Sequence, residues 1–264
     1  MKQLTYFRCL NTYGLSCHTH DNKPLLLVGL KNLSTLVLPW NKELQLEYSL
    51  PTLAILKKLR LYDIDNAETV MRLLYRCRWD RLQCLSLHFR IPFHNYIRIS
   101  FPSISSYGCL WKMHLSGELK KLPSYFPPNL TKLLLESDKL KEDPIPTLET
   151  ITNLESLLLY SDGYGITKYC FSAKGFGRLR YLRLGFLYNL EELEVENGAL
   201  PCLVHLQIKD CERLRMLPER LRFITTLKKL EVIDMPDRFS RRLRKYGEDC
   251  YKIQHIPSVT IQRT

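Results

Sequence analysis

The sequence lacks the long apolar segments of a membrane protein. Its longest apolar run extends from Leu25 to Leu30, far short of the roughly 20 residues that a helix needs to cross a bilayer. The amino-terminal residues contain no apolar core of a secretory signal peptide. We therefore expect a protein without a transmembrane segment.

Cysteine is plentiful but lacks the order of a disulfide or zinc scaffold. The nine cysteines are odd in number and include no C-x-x-C pair. Buried cysteine used as a small apolar residue is typical of a reducing compartment, which predicts a cytoplasmic protein. The metal-capable side chains Cys17, His18, His20 and Asp21 are crowded into five residues. We expect a solvated loop there, because four ligands so close together cannot easily surround one ion.

Catalytic and cofactor motifs are absent as well. The sequence contains no phosphate-binding loop, no G-x-G-x-x-G after a strand, no H-E-x-x-H and no G-x-S-x-G. His88, His114 and His205 fall on different predicted strands, without an evident nucleophile. The sequence therefore predicts a protein that is not an enzyme and binds no cofactor.

The charge balance is strongly basic. Against 39 Lys and Arg residues there are 27 Asp and Glu residues, a formal net charge of +12. This excess favours acidic partners, whether protein surfaces, anionic lipids or nucleic acids. No basic and aromatic pattern of a known nucleic-acid module occurs, so we expect protein partners and no nucleic acid.

What the sequence does contain is a repeat. Between Leu200 and Pro218 the apolar positions follow the pattern L-x-x-L-x-I-x-x-C-x-x-L-x-x-L, which is the spacing of a leucine-rich repeat. Its L-x-x-L-x-L core recurs at intervals of 20 to 29 residues. Nine copies are strong and two flanking copies are weaker; they begin at Leu4, Leu33, Leu56, Leu82, Leu110, Leu130, Leu154, Leu179, Leu203, Leu227 and Ile256.

The repeats predict an α/β solenoid of about 10 to 11 irregular units. We expect a parallel sheet on the concave side and short helices and extended segments on the convex side. The prediction is one leucine-rich-repeat domain over residues 1–264, with an irregular first repeat and loop (1–29), a longer insertion (90–108) and a carboxy-terminal cap (234–264). An amphipathic helix is predicted over 66–79.

Side chains between the buried leucines should point out of the concave face. Tyrosine, arginine and exposed leucine there are typical of protein interfaces. The candidate binding residues are Lys58, Arg60, Tyr62, His88, Lys112, His114, Lys132, Leu134, Leu158, Tyr160, Tyr181, Arg183, His205, Lys209 and Lys229.

The last return segment carries a basic run. Phe239, Leu243 and Tyr246 are predicted on one face of a helix, and the other face is mostly basic: Arg238, Arg241, Arg242, Arg244 and Lys245. This helix is either a polybasic contact site or a solvated terminal cap. We expect the cap.

The last third of the chain resembles a known family. The segments LRFITTLKKLEV (221–232), MPDRF (235–239) and KIQHIPSV (252–259) are similar to the carboxy-terminal end of plant coiled-coil NB-LRR (NLR) disease resistance proteins. The resemblance covers the chain as one leucine-rich-repeat region. It implies cytoplasmic innate immunity, in which the repeats sense a pathogen effector or a guarded host protein and restrain a nucleotide-binding domain by intramolecular contacts.

Family members also carry a coiled coil and a nucleotide-binding module, and neither is found in these 264 residues. The chain is therefore interpreted as a receptor fragment, a truncated product or a stand-alone scaffold or decoy. The substrate-binding half of a ubiquitin-ligase receptor is a further alternative, which would require an F-box-like helical segment before the repeats.

Overall fold

The fold is described from a computed structural model. It covers residues 4–8, 30–40, 50–65, 67–77, 79–89, 107–117, 119, 122–123, 125–137, 140, 142–161 and 165–263. The chain forms two compact units, Met1–Glu118 with Pro123–Leu130 and Leu119–Leu122 with Thr131–Thr264; they are called unit 1 and unit 2.

Unit 1 contains a parallel sheet in which the strands follow one another in chain order. A 3₁₀ turn spans Leu50–Thr52, and an α-helix, α1 (Ala67–Arg76), lies between the third and fourth strands. The strands are β1 (Tyr6–Arg8), β2 (Thr35–Pro39), β3 (Lys58–Ile64), β4 (Cys84–Phe89) and β5 (Lys112–Ser116).

Helix α1 confirms the predicted amphipathic segment. Val70, Leu73 and Leu74 are at most 3% exposed and lie at helical spacing. The hydroxyl of Tyr107 donates to the carbonyl of Leu74 and, at 3.1 Å, to that of Cys77. These bonds satisfy carbonyls that a helix end leaves without intrahelical partners.

Unit 2 contains a second run of parallel strands with in-register pairing. Its helices are short: α2 (Ile145–Glu149), α3 (Asp237–Leu243) and 3₁₀ turns at Glu219–Phe223 and Cys250–Lys252. The strands of this sheet are β6 (Lys132–Glu136), β7 (Ser156–Tyr160), β9 (Tyr181–Gly185), β11 (His205–Lys209), β12 (Lys229–Ile233) and β13 (Ser258–Gln262).

Two further strands were not predicted. They are β8 (Lys168–Phe171) and β10 (Glu192–Val195), which pair with each other in a parallel two-stranded sheet. Each is only four residues long, and each lies in the return segment between two strands of the main sheet.

The leucine pattern forms the core, as predicted. In all nine strong repeats, the three apolar positions of L-x-x-L-x-L are at most 2% exposed. Cys211, Leu214 and Leu217 are fully buried, as the repeat pattern between Leu200 and Pro218 predicts. The two flanking copies supply the edge strands β1 and β13, and each has a neighbouring strand on one side only. Leu4, just before β1, is accordingly 41% exposed, and Val259 on β13 is 37% exposed.

Buried hydroxyls stabilise the turns between strands and return segments in unit 2. The Ser137 hydroxyl accepts from the Leu119 amide at 3.2 Å and donates to the Leu119 carbonyl at 3.1 Å. The Ser161 hydroxyl donates to the Ser137 carbonyl at 2.6 Å. Each bond satisfies a buried polar group that would otherwise be costly.

One prediction about the last return segment is wrong. Phe239 and Leu243 are buried, but Tyr246 is 90% exposed and does not share their face. Helix α3 ends at Leu243, and Arg244 is extended. The chain turns back so that the amide of Asp249 donates to the carbonyl of Arg242 at 2.9 Å, which a continuous helix would not allow.

Candidate protein-binding surface

Strand alternation places the predicted binding residues on the face opposite the leucine core. Along β7, β9 and β11, fully buried leucine or isoleucine alternates with half-buried or exposed side chains. The pairing is in phase, so Leu158 lies beside Arg183, and Tyr181 lies beside His205. Equivalent positions of successive repeats therefore form columns about 4.8 Å apart.

In unit 2 the columns bring apolar and aromatic side chains together. Leu134 on β6 pairs with Leu158 on β7, and both are half-buried. The ring of Tyr160 lies edge-on to that of Phe186, with centroids 5.7 Å apart. We call Leu134, Leu158, Tyr160, Tyr181, Arg183 and Phe186 the recognition strip.

A glycine makes room for the central tyrosine of the strip. A Cβ atom on Gly185 would lie 2.8 Å from the ring of Tyr160, so glycine leaves the space that this ring occupies beside β9. Gly185 also precedes Phe186, which has a positive φ of 57° and whose ring centroid lies 5.5 Å from Lys209 Nζ. Sequence reasoning missed Phe186; the signal that could have found it is the glycine between Tyr160 and Lys209 in the same column.

A carboxylate organises the polar side of unit 2's face. Glu231 Oε1 accepts from Lys229 Nζ at 2.7 Å, and Oε2 contacts His205 Nε2 at 2.7 Å and accepts from Gln207 Nε2 at 3.1 Å. The hydrogen bond from Lys229, together with His205, holds the pKa of Glu231 below its usual range. The pairing fixes these side chains within the face. Lys209 Nζ lies 3.6 Å from Asp234 Oδ2.

The remaining candidate residues of unit 2 differ in their exposure and in their contacts. Lys132 is exposed at the start of β6, and Tyr181 is 42% exposed with its ring edge-on to His205. Arg183 lies half-buried between Leu158 and Gln207. Unit 2 therefore presents a mostly apolar strip in which Arg183 is the basic member, and Lys132 lies beside it on β6.

Unit 1 carries the other six predicted residues on the same face of its own sheet. Lys58, Arg60 and Lys112 are exposed and make the face basic, whereas Tyr62, His88 and His114 are half-buried. These residues belong to β3, β4 and β5, and β4 and β5 pair in register. The register of β3 with β4 shifts between Leu61 and Ile64, so Tyr62 lies at an irregularity of this pairing.

The two histidines of unit 1 form a close pair. Their ring centroids are 4.4 Å apart, and His88 Nδ1 lies 2.6 Å from the Ser116 hydroxyl. Burial, reinforced by His114 and Arg60, lowers the pKa of His88 to about 4. His88 Nε2 has no hydrogen-bond partner in the described residues. Among the residues that the structure describes, no carboxylate is hydrogen-bonded to this imidazole as in a catalytic triad.

Two sequence predictions fall outside the described residues. These are the metal-capable loop of residues 17–21 and nearly all of the insertion over 90–108. Within the described ranges, no group of three or more His, Cys, Asp or Glu side chains is arranged to hold a metal ion. The longest helix there, α1, has ten residues, too few to cross the hydrocarbon core of a bilayer.

Comparison with known proteins identifies the repeats. The Arabidopsis thaliana disease resistance RPP8-like protein 3 is 31% identical over 98% of this chain. The chain is a leucine-rich-repeat region of the plant NB-LRR disease resistance family. The disease resistance protein RPP8 of the same plant is 38% identical over 57% of this leucine-rich-repeat region.

This region spans only part of its relatives. It covers 28% of the RPP8-like protein 3, 17% of RPP8 and 20% of the probable disease resistance RPP8-like protein 2, to which it is 34% identical over 64% of its length. No family model matches the chain.

Proposed function

We propose that this leucine-rich-repeat region recognises proteins during plant disease resistance, in the cytoplasm, through the recognition strip of unit 2. The partner is a pathogen effector or a host protein that such an effector modifies. The observation that carries the proposal is the strip itself: two leucines, three aromatic rings and one arginine on one face of a regular sheet.

The composition of the strip matches the centre of a protein interface. Tyrosine and arginine are enriched among residues whose truncation costs about 2 kcal/mol or more of binding free energy. Leu134 and Leu158 provide apolar area beside them, and the charged Glu231 network lies at the polar end of the same face. A polar rim around an apolar centre is the usual arrangement of such interfaces.

The rings of the strip are already ordered, which lowers the entropic cost of binding. Tyr160 is held between Gly185 and Phe186, and Tyr181 packs edge-on against His205. His205 is in turn hydrogen-bonded to Glu231. Side chains held in one conformation before binding lose less freedom when a partner arrives.

The test is a triple alanine variant in the full-length protein that contains this region. Tyr160, Tyr181 and Arg183 are replaced, and the resistance response to the recognised pathogen is measured in leaves. We expect the response to be lost, with protein abundance unchanged. The matched control replaces the exposed Tyr75, Tyr125 and Arg81 of unit 1 and should respond like the unmodified protein. A normal response from the strip variant would refute the proposal.

A second experiment distinguishes recognition by the strip from recognition by the insertion. Deleting residues 92–104 within the longer insertion tests whether recognition uses that segment instead. We expect the deletion to leave the response intact. A lost response from the deletion, together with a normal response from the strip variant, would move recognition to the insertion.

The family resemblance also supports an intramolecular role. We propose that the region restrains the nucleotide-binding switch of the receptor in which it occurs. Variants of the exposed basic residues Lys58, Arg60 and Lys112 on unit 1's face test this role. Charge reversal at these three positions should give a response without pathogen, and a silent variant of normal abundance would count against restraint by this face.

A further inference from the structure

A cleft beside α3 in unit 2 is lined mainly by arginine. Its volume is about 770 Å³, within the usual range of ligand sites. The other lining residues are Glu191, Tyr246, Gly247 and Glu248. The arginines are Arg213, Arg215, Arg238, Arg241 and Arg242.

The cluster is built by the fold and not by one basic stretch. Arg238, Arg241 and Arg242 belong to α3, after strand β12. Arg213 and Arg215 come from the preceding repeat, after strand β11. The solvated-cap interpretation of the basic run does not account for two additional guanidinium groups from another repeat in the same cleft.

Three of the five arginines are fixed by bonds within the protein. Arg215 pairs with Glu191, and Arg242 donates to Asp249 at 2.9 Å. Arg238 Nη2 donates to the Glu212 carbonyl at 2.8 Å. Their guanidinium groups are therefore positioned before any ligand binds, which reduces the entropic cost of binding.

The other two arginines retain their donors. Arg213 and Arg241 are exposed and make no ion pair within the described residues. The five arginines outnumber the two lining glutamates by three charges, and by two when Asp249, the partner of Arg242, is included. Like charges held this close repel one another unless an anion neutralises them.

We propose that this cleft binds a compact molecule or headgroup carrying several phosphate groups. Planar guanidinium groups bind phosphate oxygens through paired hydrogen bonds, so several arginines around one cleft suit several phosphates. An acidic protein segment fits less well, because Tyr246 is the only large apolar side chain among the lining residues and peptide sites usually add apolar anchors.

Isothermal titration calorimetry of the whole chain with sodium tripolyphosphate tests the proposal. We expect one binding site per chain, with affinity that falls as salt rises from 50 to 200 mM. Replacing Arg213 and Arg241 with alanine should weaken binding at least tenfold, because two charged donors are lost. The control variant replaces the exposed Arg76 and Arg81 of unit 1; it removes the same charge and should bind within twofold of the unmodified chain.

Several results of these titrations would overturn the proposal. Equal losses in both variants, or no measurable binding, would overturn the proposal, since only overall charge would then act. A glutamate decapeptide that binds as tightly as tripolyphosphate would also overturn it in favour of an acidic protein partner. Vesicles of phosphatidylcholine with or without phosphatidylinositol bisphosphate test whether the phosphate groups are carried by a lipid headgroup. Arginine-dependent vesicle binding that tripolyphosphate displaces would support the same phosphate chemistry, carried by a lipid headgroup.

Circular dichroism before titration confirms that the variants are folded. Arg213 and Arg241 are suited to this test because neither makes an ion pair that holds the described structure together. The Arg213→Lys, Arg241→Lys variant keeps the charge but loses the paired donors. It should bind several-fold more weakly than the unmodified chain, and unchanged affinity would contradict the phosphate geometry.

Discussion

Replacing Asp249 with alanine should loosen residues 234–263 of unit 2, the segment that the sequence predicts to be a carboxy-terminal cap. Its side chain is 2% exposed and lies between two cations. Arg242 Nε approaches one carboxylate oxygen at 2.9 Å, and Lys252 Nζ approaches the other at 2.9 Å. The Lys252 side chain is itself 3% exposed and also donates to the Leu217 carbonyl at 2.8 Å.

The magnitude follows from what the alanine variant leaves behind. Removing one partner of a buried ion pair costs roughly 3–5 kcal/mol, because the other charge stays buried without compensation. Lys252 keeps the Leu217 carbonyl, and Arg242 keeps Glu248. We therefore expect the lower end of this range, about 3 kcal/mol.

Hydrogen–deuterium exchange with mass spectrometry measures this loss locally. Amides such as those of Lys252 and Ile256 are bonded within the cap and exchange through local opening. A loss of about 3 kcal/mol corresponds to exchange roughly a hundredfold faster. Glu248→Ala is the matched control, because Glu248 also pairs with Arg242 but is 76% exposed; we expect little change. Exchange of Asp249→Ala within threefold of the unmodified chain would refute the reasoning.

The same carboxylate predicts a pH dependence. Burial by itself raises the pKa of Asp249, but hydrogen bonds from Arg242 and Lys252 outweigh burial and hold it below the ordinary value of 3.8. A carboxyl with a lowered folded-state pKa contributes stability above its unfolded pKa and loses it as pH falls through the folded value. Thermal melts should therefore separate the unmodified chain from Asp249→Ala at pH 5–7 and converge below pH 3.8. A gap as large at pH 2 as at pH 6 would contradict this assignment.

Three smaller predictions concern single groups. Burial raises the pKa of the Cys211 thiol to about 12, so iodoacetamide at pH 8 should leave it unmodified while alkylating the exposed Cys202; equal labelling would contradict its burial. Gly117 has a φ of 117°, and a Cβ there would lie 2.5 Å from the Phe89 carbonyl oxygen, so Gly117→Ala should cost about 1–3 kcal/mol in urea denaturation. Tyr107→Phe removes the hydroxyl that caps α1 and should cost about 1–2 kcal/mol; unchanged midpoints would refute either estimate.

The repeat spacing predicted the core because burial follows it directly. L-x-x-L-x-L puts two side chains of each strand on one face, and stacking then buries them in every copy. The same alternation places Tyr160, Tyr181 and Arg183 on the opposite face, which is why the concave columns could be derived without a structure. That these residues bind a partner stays a prediction.

Strands β8 and β10 show where the pattern fails. Tyr169 and Phe171, like Leu193 and Val195, alternate correctly for buried strands. Each segment is too short for this alternation to stand out from an extended return segment. Only their alignment by the stacked repeats makes them pair.

The ion-pair network of Asp249, Arg242 and Lys252 could not be derived from the sequence, for a different reason. The burial of Lys252 depends on the Leu217 carbonyl, 35 residues earlier, and on the turn that brings Asp249 back to Arg242. A lysine in sequence is almost always interpreted as exposed. The same turn placed Tyr246 at the rim of the arginine cleft and not on the predicted helical face.

The most direct test of the central claim is photo-crosslinking from the recognition strip. A photoreactive phenylalanine analogue is placed at position 181, or at the exposed Tyr75 of α1 as a control, in the full-length protein in leaf cells. We predict an adduct that forms at position 181 only after challenge with the recognised pathogen, and none at position 75. An adduct at position 75 alone, or equal adducts at both positions, would contradict recognition through the strip.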